Sequence, residues 1–503
     1  MTKDVSFGDE AMKKMLKGLD KAAEAVNGTL GPKGLNVFID GGIPKITNDG
    51  ATIANEVVLS DKLENAGAYI IRNTSSQTND DVGDGTTTTS VLVQALVHEC
   101  LKRPENPMEI KESLKVAGDK ILKILAKKSI KIKKEDIEKV ALIASENKEL
   151  AKLITEIINK LGEKAVINVE DSKTFATEYE IVDGYEAHVG FISPHFINDK
   201  KSGRAIYENI YVLVSEKKIS NVQDIAPVFE LFKKELISSC VIVCEDIEDS
   251  MIGMFVVNKN IGSFNTLIVR AAGPLLKDIE GAVGARAVSD ANGVTFGNIQ
   301  LEDLGKAKKI VCDANKTLFL GNSIRTQLYA ETLEKQAEAE PNMYIAKKLR
   351  ERIAKLRGGV AVLKVGAPTD FERDYLRLKA EDAVKAVQAA LEEGVVEGGG
   401  MTFWKIAQEL NPKTPGEEIL KKALTSPLKK IIENSGKDYT EIIKEMPDGQ
   451  GYDAKLDRYT NLLESGIIDP SKVERCVLEN AVSAASTFIT TAAIITEHEE
   501  KDK

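Results

Sequence analysis

The sequence predicts a multidomain protein in which an α/β domain is inserted into a mainly helical one, and three observations carry that expectation. The chain has 503 residues. That is too many for a single core and enough for about three domains at roughly 150 residues each. Residues 1–128 and 393–503 are rich in alanine and valine at helical spacing. Between residues 183 and 359, short β-rich runs ("IYVLVS", "CVIVCE", "TLIVRA", "KKIVCD") alternate with helical stretches such as "DIAPVFELFKKEL", the pattern of an α/β layer.

The N-terminal segment "MTKDVSFGDEAMKKML" has neither an apolar signal core nor an arginine-rich, acid-poor transit pattern. No window reaches the ~20 apolar residues of a membrane span, so the start reads as that of a mature cytoplasmic protein. Residues 129–182 and 360–392 bridge the helical ends to the α/β middle. Residues 329–357 form two charged helical stretches broken at Pro341, a solvated hairpin closing the middle domain. Gly358 and Gly359 then permit a backbone reversal. With 78 acidic against 68 basic side chains the net charge is −10, which disfavours a nucleic-acid binder. The five cysteines are scattered through apolar runs and read as buried thiols in a reducing compartment, with neither a disulfide framework nor a metal–thiolate site.

"DVGDGTTTTSVL", residues 81–92, does not read as plain helix. Threonine is a mediocre helix former, about 0.5 kcal/mol worse than alanine per residue, so four in succession point to a use for their hydroxyls. Glycines on both sides of Asp84 let the backbone approach a ligand, and the free N–H groups of a helix start favour an anion. Asp84 would hold Mg²⁺ while Thr86, Thr87 and Thr88 contact phosphate oxygens, which suggests a nucleoside triphosphate. The alternative is that Asp84 or Thr86 caps the helix, and on this stretch alone capping is the simpler reading. A Walker A pattern is absent.

Two further stretches have the same character. "TLGPKG", from Thr29 to Gly34, is a proline–glycine turn, and "ITNDGATIANE" places Asp49 before Gly50 at another helix start. Together with "GDGTTTTS" and with "LEEGVVEGGG" at 391–400, they resemble the nucleotide pocket of group I chaperonins, the GroEL family. The resemblance continues through "ISPHFIN", "KKISN", "LEDLGKAK" and "RIAKLRGGVAVLKVGA" to "GYDAKLDRYTNLLESGIIDPSKV" and "FITT".

The resemblance implies a GroEL-like architecture: a helical, ATP-binding equatorial domain (1–128 and 393–503), a small α/β intermediate domain (129–182 and 360–392) and an inserted α/β apical domain (183–359). It implies that Asp84 binds Mg²⁺ and phosphates beside Gly85, Thr86, Thr87 and Thr88, that Thr29, Leu30, Gly31 and Pro32 cover the nucleotide, and that Asp49 lies near the γ-phosphate and the attacking water. Asn48 stands where the family usually has lysine, a change that bears on nucleotide affinity and on potassium dependence. In "LKAEDAVKAVQAALEEG" a helical wheel sets Asp382 opposite Val384, Val387 and Leu391, which by itself reads as a solvated aspartate. The resemblance makes Asp382 the residue that orients water for hydrolysis. Asp469 reads as a helix cap before Pro470, and by resemblance it meets the ribose hydroxyls; Gly399 packs against ribose and base, and Asp453 takes a base-contacting position.

For the insert, the resemblance implies client capture on Phe191, His195, Phe196, Ala226, Phe229, Ile252, Val256 and Val257, although periodicity alone reads such residues as core. His195, Ala226 and Val189 depart from the family's usual tyrosine, leucine and arginine, and the chain ends in "ITEHEEKDK" without a Gly-Met-rich tail. The function implied is that of an ATP-driven chaperonin subunit using ATP and Mg²⁺. It would form seven-membered rings, two of them stacked, with a GroES-type co-chaperonin. Two rivals remain: a divergent, passive holdase, such as a virus-encoded relative, and a metabolic ATPase or kinase, which leaves the apolar insert unexplained.

Overall fold

The computed structural model describes residues 3–40, 45–163, 165–200, 202–321 and 324–497. The C-terminal departure noted above falls mostly beyond them. The chain divides into two compact units: Met1–Asn159, Asp171–Thr177 and Val365–Lys503 form one, and Lys160–Glu170 with Glu178–Lys364 form the other.

The first unit is helical. Gly8–Asn27, Lys62–Val82, Thr86–Leu101, Pro107–Lys128 and Ser471–Ile489 are its long helices, joined by Asp370–Glu393. Leu19, Ile71, Leu92, Leu96, Leu114, Phe403 and Phe488 are fully buried in one core. That core draws on both ends of the sequence, as expected where an insertion separates two halves of one domain. Among the described residues four two-stranded sheets decorate the unit, including Val37–Ile39 with Lys45–Thr47, Lys3–Phe7 with Ala493–Glu497, and Val395–Glu397 with Ile468–Pro470.

The second unit is built on an eight-stranded sheet in the order Val166–Asp171, Gly359–Val365, Glu178–Ala187, Thr317–Leu320, Gly305–Cys312, Ala205–Ser215, Ser239–Cys244, Asn265–Arg270. The last three strands are parallel neighbours joined through the helices Val222–Lys234 and Asp249–Asn260, as parallel pairing requires. All four quoted β-rich runs are strands, and their inward residues, Leu213, Ile242, Ile268 and Ile310, are fully or nearly fully buried. Glu178–Ala187 is one ten-residue strand whose first part pairs with Gly359–Val365 and whose last part pairs with Thr317–Leu320. It runs unbroken through 182/183, where the sequence reading sets a domain boundary.

The charged stretches around Pro341 are the helices Ile324–Ala339 and Met343–Arg357. They are more than a solvated hairpin, because Ala330, Leu333, Ala337, Ile353 and Leu356 join the core of the sheet unit. Arg352 also reaches inward, with Nε and Nη2 on the buried Asp278 carboxylate at 3.0 and 2.8 Å and Nη2 on the Tyr329 hydroxyl at 2.9 Å. A bidentate pair of this kind fixes an orientation as well as a distance. The five cysteines are buried and free. Among the described residues no helix is long and apolar enough to cross a membrane.

Candidate functional site

The threonine run begins the helix Thr86–Leu101. The preceding helix, Lys62–Val82, ends on left-handed Gly83, and Gly85, with φ of 78°, is the N-cap residue of the next. No side chain caps that start, and the first helical N–H to find a backbone acceptor is that of Thr89, which donates to Gly85 O at 2.8 Å. The N–H groups of Thr86, Thr87 and Thr88 therefore have no acceptor inside the helix. Asp84 does not cap it either, since its Oδ1 accepts the N–H of Gly85 at 2.6 Å. The capping alternative fails here, and a row of amides and hydroxyls is left to meet an anion.

Two loops converge on this row. The hydroxyls of Thr29 and Thr87 lie 3.4 Å apart, and the Thr29 hydroxyl also donates to Val26 O at 2.8 Å. Gly31 follows with φ of 85°, Pro32 is exposed, and the Asn434 side chain holds the half-buried Leu30 by donating to its carbonyl at 2.9 Å. Asp49 caps the helix Gly50–Glu56, accepting the N–H of Thr52 at 2.8 Å, with Asn48 half-buried beside it. A Cβ on Gly50 would lie 2.5 Å from Thr87 Oγ1 and 2.7 Å from Thr86 Oγ1, so the Asp49 loop is pressed against the threonines and only glycine fits.

Asp382 joins them from the helix Asp370–Glu393. It is not a solvated aspartate: burial and the charges of Asp49 and Asp84 hold its carboxyl well above the usual range. Burial, with a smaller contribution from Asp49, likewise raises Asp84. Three acids so placed repel one another, and a cation among them relieves the repulsion. Cations are built in, Lys385 beside Asp382 among them. Lys379, one turn before Asp382, is largely buried, pairs with Glu146 at 2.9 Å and favours the charged forms of Asp84 and Asp382. The sequence reading missed Lys379, although its i, i+3 spacing from Asp382 was a usable signal. The donors fit Mg²⁺ with a polyphosphate: a carboxylate for the metal, which keeps few protein ligands, and hydroxyls with amides for phosphate oxygens.

The remaining nucleotide candidates divide. Asp469 is not a helix cap. It lies in the strand Ile468–Pro470 opposite Val396, Pro470 occupies the N-cap position, and the carboxylate accepts the N–H of Gly399. Strand pairing with Val395–Glu397 sets it against the glycine turn that starts the helix Met401–Glu409. The Asp84 charge reaches both Asp469 and Glu474, a buried acid the sequence reading missed. Asp453 serves its own hairpin instead: Oδ1 accepts the N–H groups of Lys455 and Leu456 at 3.0 and 3.1 Å.

In the sheet unit, Val257 is 57% exposed and His195 is exposed, whereas Phe191, Ala226, Phe229, Ile252 and Val256 are half-buried. Phe196 departs from the expectation. It is fully buried at the end of the turn Pro194–Phe196, under Lys259, so in this structure it is core and not surface. Phe229 packs its ring against Phe232, Phe255 and Phe264 at 5.5–6.2 Å between centroids and leaves only part of itself outside.

A helical unit drawn from both ends of the chain and an inserted sheet unit with half-buried apolar residues on its helices are the architecture of the chaperonin class. The chain belongs to the TCP-1/cpn60 chaperonin family, whose model matches residues 22–499. Its motif resemblance to the GroEL type is borne out. The chaperonin gp146 of bacteriophage EL 2 (Pseudomonas aeruginosa), crystallised in the presence of ATP-BeFx, matches at TM-score 0.71 and 20% identity over 98% of this chain and 99% of that one. A second crystal form of gp146 matches at TM-score 0.65 over the same shares. The protein is thus a chaperone by family, and that family consists of ring-forming ATPases with polypeptide clients.

Proposed function

We propose that this chain is an ATP-driven chaperonin subunit that captures non-native polypeptides and promotes their folding in an enclosed ring chamber. The observation that carries the proposal is the convergence of Thr29, Asp49, Asp84, Thr87 and Asp382, from four separate stretches, around one open helix start. Thr86, Thr87 and Thr88 receive the phosphate oxygens through N–H and O–H donors, with Thr29 to Pro32 closing over them. Asp84 would hold Mg²⁺, which when bound would supply charge neutralisation at the phosphates. Asp49 and Asp382 hold and orient the attacking water, a positioning role of the kind that dominates phosphoryl transfer. Lys379 offsets the charge of the acids, with Asn48 leaving no lysine beside Asp49; activity with potassium belongs to this reading. Crystallisation of gp146 in the presence of ATP-BeFx supports nucleotide use by the fold.

In this reading residues 1–128 with 393–503, 129–182 with 360–392, and 183–359 move as equatorial, intermediate and apical domains. ATP binding shifts them, buries the apolar sites and releases the client. Val257, Ile252, Val256 and Phe229 are the capture surface. Leaving such side chains outside forgoes roughly 1.5–3 kcal/mol each, which multivalent binding by a ring recovers. Seven-membered rings, two of them stacked, with a GroES-type lid complete the cytoplasmic machine.

The test is dilution of a denatured, aggregation-prone enzyme into this protein, with and without ATP and a GroES-type lid. Capture without ATP followed by ATP-dependent recovery of activity is expected. Capture with no ATP-dependent release would identify a passive holdase instead.

A further inference from the structure

Behind the nucleotide site lies an acid that the mechanism above does not use. Glu474, in the first turn of the helix Ser471–Ile489, is 5% exposed. Its Oε2 is fully enclosed and meets no N–H or O–H donor among the described residues. Within hydrogen-bond reach is Asp469, which already accepts the N–H of Gly399. The Asp469 carboxylate is pressed onto the glycine turn, since a Cβ on Gly398 would fall 2.9 Å from Oδ1. Two carboxyl groups in contact, one of them enclosed, do not both ionise; one carries the proton that joins them. Asp469 has a backbone donor and partial access to solvent, and Glu474 Oε2 has neither. The proton therefore belongs on Glu474, with its O–H donating to Asp469. Burial and the charge of Asp469, with Asp84 behind it, push Glu474 in the same direction.

We propose that Glu474 is a positioning residue of the nucleotide site: as a neutral acid it donates a hydrogen bond to Asp469 and fixes that carboxylate to accept ribose hydroxyls. The inference rests on the reading of Asp469 as the ribose contact. An acid that served only the helix start, through the macrodipole, would have no bearing on which sugar is bound.

The experiment is titration calorimetry of the full chain with Mg-ATP and with Mg-2′,3′-dideoxy-ATP, for the wild type, Glu474→Gln and Glu474→Val. The wild type is expected to prefer ATP by about tenfold, the size of a hydrogen bond to a charged group. Glu474→Gln, which matches the neutral acid in shape and keeps a donor, retains that preference within about twofold. Glu474→Val loses it, through weaker ATP binding at unchanged dideoxy-ATP affinity. Should Glu474→Val keep the preference, or weaken both nucleotides equally, the inference is overturned while the reading of Asp469 stands. A wild type that binds both nucleotides equally removes the ribose contact itself, and the inference with it. If Glu474→Val does not fold, infrared difference spectroscopy of wild type against Glu474→Gln decides: a protonated-carboxyl C=O band confined to the wild type supports the inference, and its absence overturns it.

Discussion

Asp382 shows how one side chain acquires a role its own helix does not give it. Along Asp370–Glu393 it lies opposite the buried valines, where an aspartate ordinarily faces water. Tertiary packing instead leaves it half-buried with Asp49 and Asp84 as its electrostatic neighbours. Asp382→Ala is expected to bind ATP with near-normal affinity and to hydrolyse it about 100-fold or more slowly, the range seen when a positioned acid–base group is removed. Single-turnover hydrolysis measures this, and a normal rate would remove Asp382 from the mechanism. Asp84 and Asp49 are legible in sequence because flanking glycines mark the backbone around them. Lys379 is marked only by its spacing from Asp382, and Glu474 not at all: it sits in ordinary helix, and only its distant neighbours distinguish it.

Among the elements, the helix Asp249–Asn260 is apolar on most sides, so its sequence does not say which side meets solvent. The structure turns Met251 and Phe255 inward, leaves Ile252 and Val256 half-buried and exposes Val257. The turn Pro194–Phe196 gave no better signal, and there the aromatic residue went into the core. The two positions therefore answer differently to the same substitution. Val257→Glu should change stability by no more than about 0.5 kcal/mol, as exposed substitutions do. It should also reduce suppression of client aggregation. Phe196→Glu should unfold the sheet unit, because it removes a large buried side chain, a change of about 3–5 kcal/mol even to alanine, and adds a buried charge. Thermal unfolding with an aggregation assay separates the two. Client capture by a folded, stable Phe196→Glu variant would contradict the burial seen here.

At the scale of the molecule, two small sheets of the helical unit carry apolar side chains in the open: Phe38 and Ile46 on one, Phe7 and Ile495 on the other. Short sheets with open edges recruit further strands, and a second copy of this chain is the occupant a ring-forming family implies. Phe38→Glu with Ile46→Glu is expected to leave helicity unchanged and shift sedimentation from ring to single subunit; intact rings would place the contact elsewhere. The nested architecture was readable because composition and period change along the chain: alanine-rich helical spacing at both ends, β-branched runs between them. The glycine-bracketed phosphate loops were readable because backbone freedom is written locally, in residue type. By itself, then, the sequence determined the helical unit, the inserted sheet and the loops able to face a nucleotide. Only the tertiary structure decided that Phe196 is core, that Lys379 faces the acids and that Glu474 stands behind Asp469. Spacing reports contacts a few residues away, and these contacts join segments brought together only by packing.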